Sequence, residues 1–205
     1  MGTLTVTEFV SLDGVAQAPG GPEEDPESGF RYGGWQAPLM TDDGAGEVMF
    51  EQASHMDALL LGRRTYDIFA GYWPTAPPEI PFTGLLNEVP KYVASRTLEP
   101  PLRWQGSTLL RGDLAEQVRA LRDRVDEVHV IGSLDLVQSL LSARLVDQLN
   151  LWIYPLLLGR GKRVFAGGTV PTALRLVEST TYPSGTIHAS YTASGEPAVG
   201  DMTTT

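Results

Sequence analysis

Four apolar residues, Ala58-Leu59-Leu60-Leu61, run directly into Gly62-Arg63-Arg64-Thr65 and then Tyr66-Asp67-Ile68-Phe69. A strand with no polar position must be covered on both faces, so it belongs in the middle of a sheet flanked by helices. Gly62 permits a tight turn, and Thr65 stands where a hydroxyl would cap a helix reaching Tyr72. Trp73-Pro74 stops that helix. A strand, a tight turn and a helix start beside two arginines make an anion site, because free N–H groups and the helix dipole both favour negative charge. The anion suited to such a site is the phosphate of a nucleotide.

A second unit repeats the pattern. Val128-His129-Val130-Ile131 reads as a strand, and Gly132-Ser133-Leu134 leads into a helix with Leu136, Val137, Leu140 and Leu141 buried. Either glycine alone could serve only as a turn, with Thr65 or Ser133 as an ordinary N-cap. Two such units in one small sheet favour a shared pyrophosphate beyond the carboxyl ends of the strands. A third strand, Lys91 to Ser95, ends at Ser95-Arg96. Arg96 is either a solvated loop residue or, with Arg63 and Arg64, part of a pocket for one more phosphate, since guanidinium forks match phosphate oxygens. That extra phosphate would distinguish NADP from NAD. Gly159-Arg160-Gly161-Lys162 lacks the Walker spacing and reads as a basic surface turn.

The remaining pattern alternates strands and helices. Leu4 to Val10 is a strand ending in the turn Ser11-Leu12-Asp13-Gly14, and residues 18 to 34 form a long acidic loop rich in Pro and Gly. Residues 43 to 56 carry Ala45, Val48, Met49, Ala53 and Met56 on one helical face. Residues 74 to 84 read as a Pro-rich loop, and Leu109-Leu110 marks a further strand. Asp113 caps a helix striped by Leu114, Val118, Leu121 and Val125, with Glu116 at the capping-box position. Gln148 to Tyr154 is a strand, and Leu174–Thr181 with Thr186–Thr192 forms a hairpin around Pro183-Ser184-Gly185. The expected fold is α/β: a mostly parallel mixed sheet, helices on both faces, and a C-terminal antiparallel hairpin. One domain over residues 1–192 is expected, with a disordered tail at 193–205.

Composition narrows the function. A net charge of −10 argues against nucleic acid or a membrane surface as partner. With no cysteine, disulfides, thiol catalysis and thiolate metal sites are excluded, and no trio of other ligands suggests a metal. No apolar run approaches the roughly 20 residues of a membrane span, and the first residues lack a signal-peptide pattern. A cytoplasmic setting is the default expectation.

Taken in order, several short motifs form a set: Val10-Ser11-Leu12-Asp13-Gly14, Gly33-Gly34-Trp35, Leu59 to Pro74, Pro90 to Thr97, Val130-Ile131-Gly132-Ser133, and Tyr154 to Gly161. With this set the chain resembles the dihydrofolate reductase superfamily, and within it the stand-alone proteins related to the reductase domain of bifunctional riboflavin-biosynthesis enzymes. The resemblance implies a three-layer fold, NADPH across the carboxyl edge of the sheet, and a homodimer. It implies that Gly62, Arg63, Arg64 and Thr65 bind cofactor phosphates. Ser95 and Arg96 would read the 2′-phosphate, and Ile131, Gly132, Ser133 and Leu134 would meet the pyrophosphate. The family's helix carboxylate falls at Gly46, which has none; Glu47 is adjacent but points about 100° round the helix. The family's aromatic one turn later is retained as Phe50.

The implied activity is hydride transfer from NADPH to a C=N or C=O group of a small heterocycle, pterin-like or ribosylaminopyrimidine-like. Alternatives are a non-catalytic nucleotide-binding protein and a broad-range carbonyl reductase. Reduction also needs a proton for the nitrogen or oxygen. Candidate donors are Asp13, Glu47, Glu51 or a bound water. Asp13 could equally be an Asp-Gly turn, and Glu47 with Glu51 a solvated i, i+4 pair. Trp35, Phe50, Tyr72 and Trp73 could line a pocket for a flat ring or pack as core or lid.

Overall fold

The computed structural model describes residues 1–202. Eight strands form one sheet: β1 (Thr3–Ser11), β2 (Ala58–Gly62), β3 (Lys91–Ala94), β4 (Ser107–Leu110), β5 (Glu127–Ile131), β6 (Gln148–Tyr154), β7 (Ala173–Thr181) and β8 (Ile187–Gly195). Five helices accompany them: α1 (Ala45–Ser54), α2 (Arg63–Tyr72), α3 (Pro81–Glu88), α4 (Leu114–Arg122) and α5 (Leu134–Ser142). The strand order is β4-β3-β2-β5-β1-β6-β8-β7. The pairs from β4 through β6 are parallel, and β6-β8 and β7-β8 are antiparallel. This is the expected mixed α/β sheet with its C-terminal hairpin.

The all-apolar β2 is explained by its two neighbours. Ala58 and Leu60 join Leu4, Val6, Val128 and Val130 in a core closed by Val118 and Leu121 of α4 and by Leu136, Val137 and Leu140 of α5. Leu59 and Leu61 point the other way, onto Ala53 of α1, Tyr66 of α2 and Leu86 of α3. Among the described residues no helix is long and apolar enough to cross a membrane.

Three expectations need correction. The segment read as Pro-rich loop, residues 74 to 84, already includes the first turn of α3, which opens with Pro81, where a missing N–H costs nothing. Thr65 does not cap α2: the helix begins two residues earlier, at Arg63, after extended Gly62. The last strand runs to Gly195, past the expected boundary at 192, because it pairs with the full length of β7. Residues 203–205 of the expected tail lie outside the described residues.

One feature of register prepares the site. β1 pairs with β5 only as far as Thr7–Ile131, but with β6 as far as Ser11–Tyr154. The last bond between β1 and β5 runs from the Gly132 N–H to the Thr7 carbonyl, at 3.3 Å. Beyond it the two central strands part, and the sheet splits at its carboxyl edge.

Candidate functional site

A cleft of about 1780 Å³ follows that split. It exceeds the few hundred to ~1,000 Å³ of an ordinary small-molecule pocket, so an extended dinucleotide and a second ligand would both fit. Its wall passes through the sheet. Glu8 and Leu136 line it on the α5 side, and Phe9, Met49 and Phe82 line it on the α1 side.

The three turns read from the sequence converge here. Gly62, Arg63, Arg64, Thr65, Ser95, Arg96, Ile131, Gly132, Ser133 and Leu134 all line this one cleft. The Gly62 N–H donates to Ser133 Oγ at 2.8 Å, which ties the α2 turn to the α5 turn. A Cβ on Gly62 would stand 3.2 Å from the Ser133 Cβ, so the turns touch because residue 62 lacks a side chain. Gly132 and Ser133 are both left-handed, with φ of 67° and 69°. This kink turns the chain from β5 into α5 and leaves the first N–H groups of that helix at the cleft. Ser133 is therefore a tether between turns: its hydroxyl makes no cap bond to its own helix.

Cations gather on this wall although the chain is acidic overall. Arg63 Nη1 donates to Thr97 Oγ1 at 2.9 Å. Ser95 Oγ accepts from the N–H groups of Thr97 and Leu98, at 3.2 and 3.0 Å, and so shapes the turn that presents Arg96. Arg111, just past β4, also lines the cleft and pairs with Glu99. Arg64 pairs with Glu27 of the long loop at 2.6 Å, and Lys162 holds Glu27 at 2.6 Å and Asp25 more closely still. The Lys162 ammonium, and after it Arg64, holds the Glu27 carboxyl below the ordinary carboxylate range. The Gly159 to Lys162 turn is thus more than a surface turn. A Cβ on Gly161 would lie 2.5 Å from Val15 Cγ1, and Lys162 lines the cleft and anchors the loop.

The catalytic and pocket expectations fare differently. Asp13 is not on the cleft wall. Its carboxylate accepts from Ser11 Oγ at 2.6 Å, from the Leu158 N–H at 3.1 Å and from the Gly159 N–H at 2.9 Å. The Ser11 hydroxyl, then these two N–H groups, pull its pKa down to about 2, so it joins two loops as a fixed anion and holds no proton to give. Glu47 and Glu51 are exposed on the outer face of α1, away from the cleft, as their helical position dictates. Trp35 is buried behind the cleft, donating its ring N–H to the Gln17 carbonyl at 2.8 Å and standing edge-on to Tyr154. Phe50 also stays off the wall and packs edge-to-face on Phe82, which is the ring that reaches it. Tyr72 and Trp73 do line the cleft.

Glu8 is the residue that reading by motif missed. It is 2% exposed, on the cleft wall, and its Oε1 has no hydrogen-bond partner among the described residues. Burial pushes its pKa up to about 8. The signal was present: Glu8 occupies an inward position of β1, between Val6 and Val10 on the face built of Leu4 and Val6. A carboxyl on the buried stripe of a central strand is rare without a use.

Fold and cleft together define a dihydrofolate-reductase-like α/β protein. The chain belongs to the RibD C-terminal domain family, whose model matches residues 2–188. It is 27% identical over 142 residues to the uncharacterized protein YyaP of Bacillus subtilis (strain 168), covering 67% of this chain and 74% of that one. Among solved structures it is similar to a pyrimidine reductase-like protein of Corynebacterium diphtheriae, with TM-score 0.65 and 16% identity over 95% of this chain and 93% of that one. It also resembles a diaminohydroxyphosphoribosylaminopyrimidine deaminase/5-amino-6-(5-phosphoribosylamino)uracil reductase of Thermotoga maritima. There the TM-score is 0.61 and identity 14%, over 94% of this chain and 57% of that one.

Proposed function

We propose that this protein is a cytoplasmic NADPH-dependent reductase acting on a C=N or C=O group of a small pterin-like or ribosylaminopyrimidine-like heterocycle. The observation that carries this is the Gly62–Ser133 tether, which brings two glycine turns and their helix starts to one cleft beside Arg63, Arg64 and Arg96. Free N–H groups and guanidinium forks are the donors that a pyrophosphate and a 2′-phosphate need. In this reading the α2 and α5 turns hold the pyrophosphate, and Ser95-Arg96 with Arg63 or Arg64 holds the 2′-phosphate. NADPH supplies the hydride; the protein's work is to orient the rings and exclude water. Phe9, Met49 and Phe82 give the α1 side of the split an apolar surface for a flat heterocycle. The family, together with the named activity of the Thermotoga protein, supports a pyrimidine-like substrate.

Calorimetric titration with NADPH and NADH tests the reading. Wild type binds NADPH, and the combined change of Arg63, Arg64 and Arg96 to Ala weakens NADPH by at least about 100-fold more than NADH, as lost charge-assisted bonds of ~1.5–3 kcal/mol each imply. Equal weakening of both cofactors removes the 2′-phosphate assignment, and no binding at millimolar NADPH removes the reductase. A second reading, a nucleotide-binding protein without turnover, draws on Gly46, where the family's helix carboxylate is lacking. NADPH binding without reduction of any pterin, pyrimidine or carbonyl acceptor would favour it. The homodimer expected from the family is retained as part of the proposal, since Leu174, Leu176 and Val177 leave β7 with exposed apolar side chains.

A further inference from the structure

Glu8 lies where the sheet splits. One residue past the final Thr7–Ile131 pair, it faces the Gly132 turn across the opening, while the next residue, Phe9, lines the cleft on the opposite face. Gly132 brings no side chain of its own to that side, and the Thr65 side chain stands 3.6 Å from where its Cβ would be. Leu151 is its register partner in β6, and Val6 and Val10 flank it along β1. The carboxyl therefore has apolar neighbours on three sides and the cleft on the fourth, with Oε1 unpartnered. Such a group, buried in nearly every respect and left without a partner, costs stability in any protein that does not use it.

We propose that Glu8 is the proton donor of the reduction, a role that rests on the NADPH-dependent reductase reading above. The substrate carbon gains a C–H bond from the hydride of NADPH, and the C=N or C=O π bond breaks. Its electron pair takes the proton of the Glu8 carboxyl, and the carboxylate left behind regains a proton from water. Asp13, Glu47 and Glu51 lie off the cleft wall; of the described acids on it, Asp135 opens α5 and Glu23, Glu24 and Asp25 belong to the long loop, while Glu8 stands on a strand at the split. A pKa of about 8, caused by burial alone, keeps the proton in place at neutral pH. The side chains sharing its face on β5, β6 and α5 are apolar: Val128 and Val130, Leu149 and Leu151, Leu136, Val137 and Leu140. The charged groups of the cleft are the arginines of the turns, Arg111, Asp135, Lys162 and the loop carboxylates Glu23, Glu24 and Asp25. None of them contributes to the shift at Glu8.

The test uses the whole protein and Glu8→Gln, which keeps the shape and a hydrogen-bond donor but has no proton to give. Infrared difference spectra over pH, taken without any ligand, report the protonated carboxyl directly. A carboxyl C=O band that persists in wild type above pH 7 and is missing in Glu8→Gln is expected; a Glu8 already ionised at pH 6 overturns the proposal. Turnover is then followed as NADPH oxidation with 5-amino-6-(5-phosphoribosylamino)uracil and with dihydrofolate. Wild-type kcat/KM should fall above about pH 8, and Glu8→Gln should lose roughly 10²–10⁴-fold at neutral pH together with that limb. An unchanged rate, or an unchanged pH limb with only weaker NADPH binding, overturns the proposal, because the carboxyl would then be a cofactor contact. Absence of turnover in a wild-type protein that binds NADPH overturns it as well. Failure of wild type to bind NADPH is a separate result, and it sinks the reductase reading itself.

Discussion

The two ends of the sheet treat buried charge in opposite ways. At the amino end, Arg122 is buried and fully used: Nε donates to the Gly2 carbonyl at 2.7 Å, Nη1 to the Leu145 carbonyl at 3.0 Å, and Nη2 pairs with Asp147. Lys91, also buried, donates to the Asn87 carbonyl at 2.6 Å and the Gln105 carbonyl at 3.2 Å and lies over the Trp104 ring. At the carboxyl end Glu8 is just as buried, and Oε1 goes unpartnered. The amino end joins chain segments, and these two buried cations are satisfied within the fold. The carboxyl end leaves valence open for a ligand.

This contrast is sharpest where it can be broken. The largest loss should come from Arg122→Met, which leaves the Gly2 and Leu145 carbonyls without their donor and Asp147, still held by the Leu4 N–H, without its cation. A loss of about 3 kcal/mol in urea unfolding is expected, with NADPH affinity unchanged in the folded fraction. A change of opposite sign is expected from Glu8→Gln. In the unfolded chain the Glu8 carboxyl ionises near its ordinary 4.5, but in the folded protein only near 8. The folded-state pKa is raised, so wild type loses stability as pH climbs between those values. The variant should therefore be more stable by an amount that grows from pH 4.5 to about 8 and then levels, reaching on the order of a few kcal/mol. A gap independent of pH would mean that Glu8 is hydrated when folded. Smallest is Ser133→Ala, which removes the acceptor of the Gly62 N–H: about 1 kcal/mol of stability, and weaker NADPH binding as the two turns come loose. Thermal melts and calorimetry on that variant check both.

Much of the carboxyl end was legible in the sequence, because a strand-turn-helix unit is local. Gly62, Arg63, Ser95 and Gly132 sit where their own neighbours in the chain put them, and β6 keeps the bounds read from its apolar run. The parts that failed depend on distant packing. Whether Trp35 or Phe50 faces the cleft is decided by Tyr154 and Phe82, far along the chain. Thr65 looked like a cap because hydroxyl residues usually are, but the helix start was set by extended Gly62. Asp13 carried a motif and proved to be a brace. Glu8 carried none, and only its place on a buried stripe gave it away.

The Arg64–Glu27 pair has a consequence for any phosphate that reaches this corner. That guanidinium already holds an anion, one attached to the long loop and shared with Lys162. An incoming phosphate exchanges one anion for another and leaves Glu27 with Lys162 alone. Affinity at Arg64 is then a difference between two competitors, one of them built into the chain. Salt weakens both of them. Ligand binding should therefore depend on ionic strength less steeply than the number of arginines on the wall would suggest.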